Sequence, residues 1–404
     1  MPQNKKQHFV PKVLLEHFAS DDAGRQINVM NIGLARVIRK ASLRDQCQKP
    51  HFYGKDGVVE KNLAVLEGVL GQIIDQVKTS NTFPLDAMFR CKIALQLALQ
   101  QARTTVAEVK LNSAVEKFTK LLMSGQFTAE QLQGVKISLN NASAMNIGRA
   151  MLAAPIMYDL KLFLILNKAR MPFIISDNPV VTTNYFCLQK FPSRPSMGTS
   201  KSGFQITMPL TPRHAVLMHD RYVYETRANG NVIVVERDSE VSALNRVQWE
   251  NALANVYFSD AFDERAINDC LSWDRSANKE LRLTRFSPVD HDPGAFVASD
   301  KSIYDAPDSG VDRELVLISD APPKTAIRMS AIRIRSKPRY FDEGSAADPL
   351  RDPAWREIVK AFSASSEPKA RDFNRLWAFA VSHPLFSEVG PEIRNVERAF
   401  RIKR

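Results

Sequence analysis

The sequence has no G-x-x-x-x-G-K-[ST], no G-x-G-x-x-G, no H-E-x-x-H and no G-x-S-x-G. These absences leave the phosphate-cradling loop, the dinucleotide fingerprint, the zinc-protease helix and the serine-hydrolase elbow without support. Cysteine is scarce: Cys47, Cys91, Cys187 and Cys270 stand far apart with no C-x-x-C. Cys47 and His51 have a C-x3-H spacing, but no second ligand pair follows, so a zinc site is not supported. Long apolar runs are missing too. The first residues, "MPQNKKQHFVPK", are basic with no apolar stretch behind them, and the most apolar region, "MLAAPIMYDLKLFLIL", is interrupted by Asp159 and Lys161. Neither a secretory signal nor a membrane span is visible. Together with sparse cysteine, this leads us to expect a cytoplasmic protein with no membrane partner.

What is present is an ordinary globular composition with a positive excess. The chain has 404 residues, 44% hydrophobic and 25% charged, and a net charge of +11. That length can bury a large core without disulfides or metals. The charge is uneven: residues 323–404 hold 17 Lys/Arg against 10 Asp/Glu. A basic tail makes a polyanion, most simply nucleic acid, a natural partner.

The hydrophobic pattern changes character along the chain. "INVMNI" (27–32) alternates as a strand does. Over 58–77, Leu63, Leu66, Leu70, Ile73, Ile74 and Val77 recur at helical spacing. Residues 85–122 read as one or two long helices with a break at Thr104-Thr105, and 128–158 as helix with a loop near Asn140-Asn141. From "KLFLILN" to "HAVLMH" the segments are strand-like. "YVYETRANGNVIVVE" predicts a hairpin turning at Asn229-Gly230, and 238–256 returns to helix. Beyond about 262, Pro and Asp clusters suggest a linker and then a basic extension over 263–404. In it "ELVLI" and "AIRIR" are expected to pair as strands, and 352–363 and 369–381 to be helices. This order predicts an α+β fold: a helical N-terminal half packed on a mainly antiparallel sheet, with main domain 1–262.

Several polar residues sit against apolar elements. His8 precedes Pro11 at a helix start, where it reads as a local cap or as an acid/base group. Glu60 and Glu67 lie within about 20° of each other on a helical wheel. Glu67 borders the leucine stripe, where a carboxylate needs a partner or a metal. Gln96, Gln100 and Arg103 form a polar stripe on an otherwise apolar helix, and a buried guanidinium demands an anion: Glu67 or Asp177 as a structural partner, or a phosphate or carboxylate ligand as a functional one. In "FIISDNPVV", Pro179 forces Asn178 out of the helical region, so Asp177 is delivered at a strand end. That is a turn between strands, or a rigid seat for a base or metal ligand.

These stretches carry a resemblance. "QHFVPKVLLEHF", "FYGKDGVVEKNLAVLE", "QQARTT", "FIISDNPVV", "MPLTPRHAV" and "LNRVQWENALANVYFS" resemble, in that order, a bacterial family known as domain of unknown function 4238. The resemblance covers about residues 5–262 and leaves 263–404 outside. One position departs from it: Thr105 stands where a proline is expected after Arg-Thr. The family name implies no reaction, but His8, Glu67, Gln100, Arg103, Asp177 and Asn178 are the residues on which the resemblance rests.

Two functions are expected from this. The first is a hydrolase acting on a phosphodiester or another anionic substrate, such as a metal-assisted nuclease. There His8, Glu67 and Asp177 would be catalytic, Glu67 and Asp177 would hold a divalent metal, and Gln100, Arg103 and Asn178 would bind the substrate. The alternative is a non-catalytic nucleic-acid-binding or interaction protein in which these side chains form a structural network. In both, Lys324, Arg328, Arg333, Arg335, Lys337 and Arg339 offer phosphate contacts. In "AIRIR" the arginines would share one strand face while the isoleucines pack inward.

Overall fold

The computed structural model describes residues 6–123, 126–191, 198–273, 285–288, 316–319, 327–340 and 351. The fold is α+β. Strand β1 (Lys6–His8), the short helix α1 (Lys12–Leu15), β2 (Gln26–Asn31), β3 (Arg36–Ser42) and β4 (Gln48–Pro50) open the chain. Helices α2 (Val58–Ser80), α3 (Ala87–Ala102), α4 (Thr105–Met123), α5 (Ala129–Gln133) and α6 (Ala142–Ala153) follow. Then come β5 (Lys161–Asn167), β6 (Ile175–Ser176), β7 (Val181–Thr183), α7 (Tyr185–Lys190), β8 (Gln205–Thr211) and β9 (His214–His219). The next elements are β10 (Tyr224–Thr226), β11 (Val232–Val235), α8 (Asp238–Asn251), β12 (Asn255–Phe258) and α9 (Glu264–Ser272). Strands β13 (Arg285–Pro288), β14 (Val316–Ser319) and β15 (Ile332–Ile334) lie in the C-terminal part.

The central layer is a five-stranded sheet, β11-β5-β9-β8-β7, antiparallel except for the β11–β5 pair. Strand alternation sorts its side chains to two faces. Leu162, Leu164, Ile206, Met208, Val216 and Met218 join Leu70, Ile74, Leu97 and Ile147 in the core under the N-terminal helices. Phe163, Ile165, Ala215, Leu217, Ile233 and Val235 face the other way, onto Val241, Leu244 and Val247 of α8. A second sheet, β3-β2-β12-β6, packs through Met30, Ile174, Val256 and Phe258 against Trp249 and α9. In α2, Leu63, Leu70, Ile73, Ile74 and Val77 are buried, and Gly71 leaves room for α1, since a Cβ there would lie 3.1 Å from Val13 Cγ2.

Three expectations are corrected. The turn at Asn229-Gly230 exists, with Gly230 at φ 61°, but β10 and β11 do not form the hairpin. Instead β11 pairs with β5, which buries Ile233 and Val235, and β10 pairs with β15. The helix over 238–256 stops at Asn251, and Asn255–Phe258 becomes a central strand between β2 and β6. "ELVLI" does not pair with "AIRIR": β14 pairs with β13, and β15 with β10. The expected helices 352–363 and 369–381 lie outside the described residues.

Packing continues past residue 262. Ala266, Ile267 and Cys270 of α9 join Trp249 and Phe258. Ile327 and Met329 are buried under the five-stranded sheet, and Tyr340 packs on Phe186 and Phe191. The alternation read in "AIRIR" holds. Ile332 and Ile334 face Phe186 and Tyr224, while Arg333 is exposed and pairs with Glu225 at 2.6 Å.

Candidate functional site

The predicted residues fall into two joined networks. The first is centred on Arg103, which ends α3 and is only 4% exposed. Its Nε donates to Tyr53 Oη at 3.0 Å. Its Nη2 donates to the His8 carbonyl at 2.7 Å and to Glu67 Oε1 at 2.6 Å. The Tyr53 hydroxyl in turn divides its proton between the carbonyls of His8 and Arg103. Gln100 Nε2 donates to the Phe9 carbonyl, and Gln96 Nε2 to the Leu66 carbonyl. The stripe Gln96-Gln100-Arg103 therefore clasps backbone: one carbonyl of α2 and the two consecutive carbonyls of His8 and Phe9 at the end of β1. Gln7 completes the clasp, accepting from the Tyr53 N–H and donating to the Gly54 carbonyl.

The electrostatics follow from this geometry. Burial opposes the charge on Arg103, but Tyr53 and Glu67 outweigh it and raise its pKa. Burial pushes the Tyr53 phenol up to about 12, against the pull of Arg103. Burial, then Glu67, raises the Glu60 carboxyl, whose Oε2 is buried without a hydrogen-bond partner among the described residues. His8 enters the network through its carbonyl. Burial and Lys12 lower its imidazole to about 4, with the Gln46 backbone opposing.

The second network is built on Ser176-Asp177-Asn178-Pro179. The Asp177 carboxylate accepts three backbone N–H bonds, from Leu253 at 2.6 Å, Ala254 at 2.7 Å and Asn255 at 3.0 Å. It thereby caps the turn that takes α8 into β12, and the Asp177 N–H donates back to the Asn255 carbonyl. Three amides on one side of α8 grip the facing segment. Asn245 accepts from Ile174 N–H and donates to the Pro172 carbonyl. Gln248 accepts from the Ser176 hydroxyl and donates to the Pro179 carbonyl. Asn251 donates to the carbonyls of Asn178 and Val180, while Asn178 donates to the Asn251 carbonyl. The Thr104 hydroxyl, next to Arg103, donates to Asn178 Oδ1 at 3.2 Å and joins the two networks.

Thus His8, Glu67, Gln100 and Arg103 come together, and Asp177 and Asn178 form the neighbouring set. Glu67, the first of the two expected metal ligands, is bound to Arg103, and Asp177, the second, to the 253–255 backbone. Among the described residues, no group of three or more His, Cys, Asp or Glu is placed to hold a metal ion. Cys47 is buried and donates to Tyr257 Oη, and burial raises its thiol. A small cavity under the sheet, lined by Phe173, Thr207, Pro209, Ala215, Leu244, Asn245 and Gln248, contains none of the predicted site residues.

The basic residues of the C-terminal part lie on a different surface. Arg328 stands over the Tyr185 ring at 4.8 Å, Arg339 over Tyr222 at 5.2 Å, and Lys190 over Tyr340 at 5.1 Å. Arg335 donates to the Arg221 carbonyl, and Lys337 is exposed between them. Lys324 lies outside the described residues. The α8 amides were missed from sequence, although their spacing in "LNRVQWENALANVYFS" puts Asn245, Gln248 and Asn251 near one side of the helix. The role of Tyr53 had no local signal.

The fold is α+β, with a polar clasp around buried Arg103 and buried Asp177. Residues 6–262 match the model described as "Protein of unknown function (DUF4238)", and the chain belongs to that family. No curated protein and no solved structure matches it. Among the described residues, no helix is long and apolar enough to cross a membrane.

Proposed function

We propose that this chain is a non-catalytic nucleic-acid-binding protein. Its signature residues hold the fold together, and its contacts are made where residues 327–340 lie against β10 and α7. The observation that carries this reading is the alternation of cations with tyrosines on that surface: Arg328 on Tyr185, Arg339 on Tyr222 and Lys190 on Tyr340. Arg335 and Lys337 are exposed beside them. Guanidinium and ammonium groups bind phosphates, and partly exposed tyrosine faces stack on unpaired bases, so a single strand is the better ligand. The saturation of Asp177 by three backbone amides supports the non-catalytic half of the reading.

The test is titration of a labelled single strand and a labelled duplex at two salt concentrations. The full chain would be compared with an Arg335→Gln/Lys337→Gln/Arg339→Gln variant. Loss of affinity and a salt slope shallower by up to about 3 are expected in the variant. Equal affinity and slope in the two proteins would remove this surface from the reading.

A hydrolytic reading has one observation on its side: the raised carboxyl of Glu60 beside Glu67 and Arg103. A carboxyl whose pKa burial raises, set beside a carboxylate that pairs with an arginine, is an arrangement that acid–base chemistry uses. Incubating the same labelled strands with the protein and Mg²⁺ or Mn²⁺ separates the readings. Cleavage that disappears in a folded Glu67→Gln variant would replace binding by hydrolysis.

A further inference from the structure

Arg351 lies outside the family-matched region, yet its side chain is buried within it. Its side chain is 1% exposed, deeper than Arg103. Every nitrogen of its guanidinium is engaged. Nε meets Asp159 Oδ2 at 2.6 Å. Nη1 donates to the Thr199 carbonyl at 2.7 Å, with the Lys201 carbonyl at 3.4 Å. Nη2 donates to the Ile156 carbonyl at 2.5 Å. The Arg351 N–H also donates to the Ser200 carbonyl at 3.0 Å.

The receptor is made of groups that the matched region supplies, since Ile156, Asp159, Thr199 and Lys201 all lie within 6–262. It contains one carboxylate and three carbonyls that point at a common planar cation. The Asp159 carboxylate is itself 9% exposed, and its Oδ1 is buried without a hydrogen-bond partner among the described residues. A second carboxylate, Asp220, stands within electrostatic reach of both Asp159 and Arg351, held by the N–H groups of Gly203 and Tyr222. Without a cation, this enclosure would bury negative charge and several unsatisfied carbonyls, which is strongly unfavourable. A guanidinium matches it because its donors radiate in one plane. An ammonium is a compact point charge with three donors and cannot reach carbonyls spread around a plane.

We propose that the matched region carries a guanidinium-binding socket, formed by Asp159 and the carbonyls of Ile156, Thr199 and Lys201, whose ligand is an arginine side chain presented by a peptide segment. In this chain Arg351 is that ligand. The proposal is independent of nucleic-acid binding, because a socket for a cation does not contact phosphate.

Chemical complementation tests it in the full chain. Thermal unfolding of Arg351→Ala would be followed with added methylguanidinium or methylammonium at equal millimolar concentration. Arg351→Ala should melt several degrees below the parent, and methylguanidinium should raise its Tm by a few degrees while leaving the parent unchanged. Methylammonium should do neither, and an Asp159→Asn/Arg351→Ala variant should lose the response. If Arg351→Ala gives no folded chain, Arg351→Lys takes its place: it should melt several degrees below the parent, because an ammonium cannot reach the three carbonyls, and a Tm equal to the parent's would overturn the socket. An unchanged Tm on removing Arg351, equal response to the two cations, or a response that survives Asp159→Asn would overturn the socket.

Discussion

The Asp177 carboxylate binds the Leu253 N–H at 2.6 Å, so a strand-end aspartate caps a turn more than seventy residues later in the chain. Ala254 and Asn255 N–H groups share the same carboxylate. Asp177→Asn keeps one carbonyl acceptor but turns an NH₂ group toward backbone donors. The loss is expected to be about 3 kcal/mol of folding stability, read from urea unfolding. A variant as stable as the parent would show that the charge is not what holds the 253–255 turn.

Arg103 and Glu67 should not be equivalent. Arg103 is enclosed and serves Tyr53, Glu67 and the His8 carbonyl at once, whereas the Glu67 side chain is 29% exposed. Arg103→Lys is expected to cost about 3–5 kcal/mol, because an ammonium cannot hold three directions and the buried pair is broken. Glu67→Gln retains an acceptor for Nη2 and should cost about 1 kcal/mol. Denaturant unfolding of the two variants gives the order, and the reverse order would refute the clasp.

Gly203 has φ +78°, and a Cβ there would lie 2.5 Å from Asn184 Oδ1 and 2.7 Å from Phe186 Cβ. Its carbonyl accepts from the buried Tyr224 hydroxyl, so the backbone cannot simply move away. Gly203→Ala combines left-handed strain with overpacking and should destabilise by about 2–4 kcal/mol. Calorimetry on the variant checks this. A Tm within a degree of the parent would mean that the loop yields at little cost.

Stability should depend on pH through two opposing buried groups. Burial lowers folded His219 to about 4, against the ordinary 6.5, so unfolding takes up a proton in that window. Its contribution is complete above 6.5 and is lost as pH falls toward 4. Burial raises folded Asp220 to about 6 from 3.8, so unfolding releases a proton and its contribution is lost as pH rises through 6. Between pH 4 and 6 the two slopes offset each other, so His219→Gln should change the slope of stability against pH by about one proton and leave stability falling as pH rises through 6. Urea midpoints between pH 4 and 7 measure it, and an unchanged slope would sink the assignment.

Local chemistry was enough to locate Glu67, Arg103 and Asp177 as polar residues set against apolar elements, though not the α8 amides. A carboxylate at the edge of the α2 leucine stripe, an arginine on an apolar helix and an aspartate before Asn-Pro each announce a need for partners. Periodicity placed α2, the break at Thr104, the central strands and the inward isoleucines of "AIRIR". These features depend on neighbours a few residues away, and a sequence displays those neighbours directly.

Of the two carboxylates that the sequence offers to Arg103, the tertiary structure selects Glu67, and the backbone partners were decided only there. Arg103 takes the carbonyl of His8 where the sequence drew attention to the imidazole, and Asp177 takes backbone amides from 253–255. Backbone donors and acceptors are the same at every residue, so no side-chain pattern reveals which of them a buried charge will meet. Strand pairing was decided at the same level. The Asn229-Gly230 turn forms as its local preferences require, yet β11 goes to β5 and β10 to β15, because burial of Ile233, Val235 and Tyr224 against distant elements outweighs the nearest hairpin.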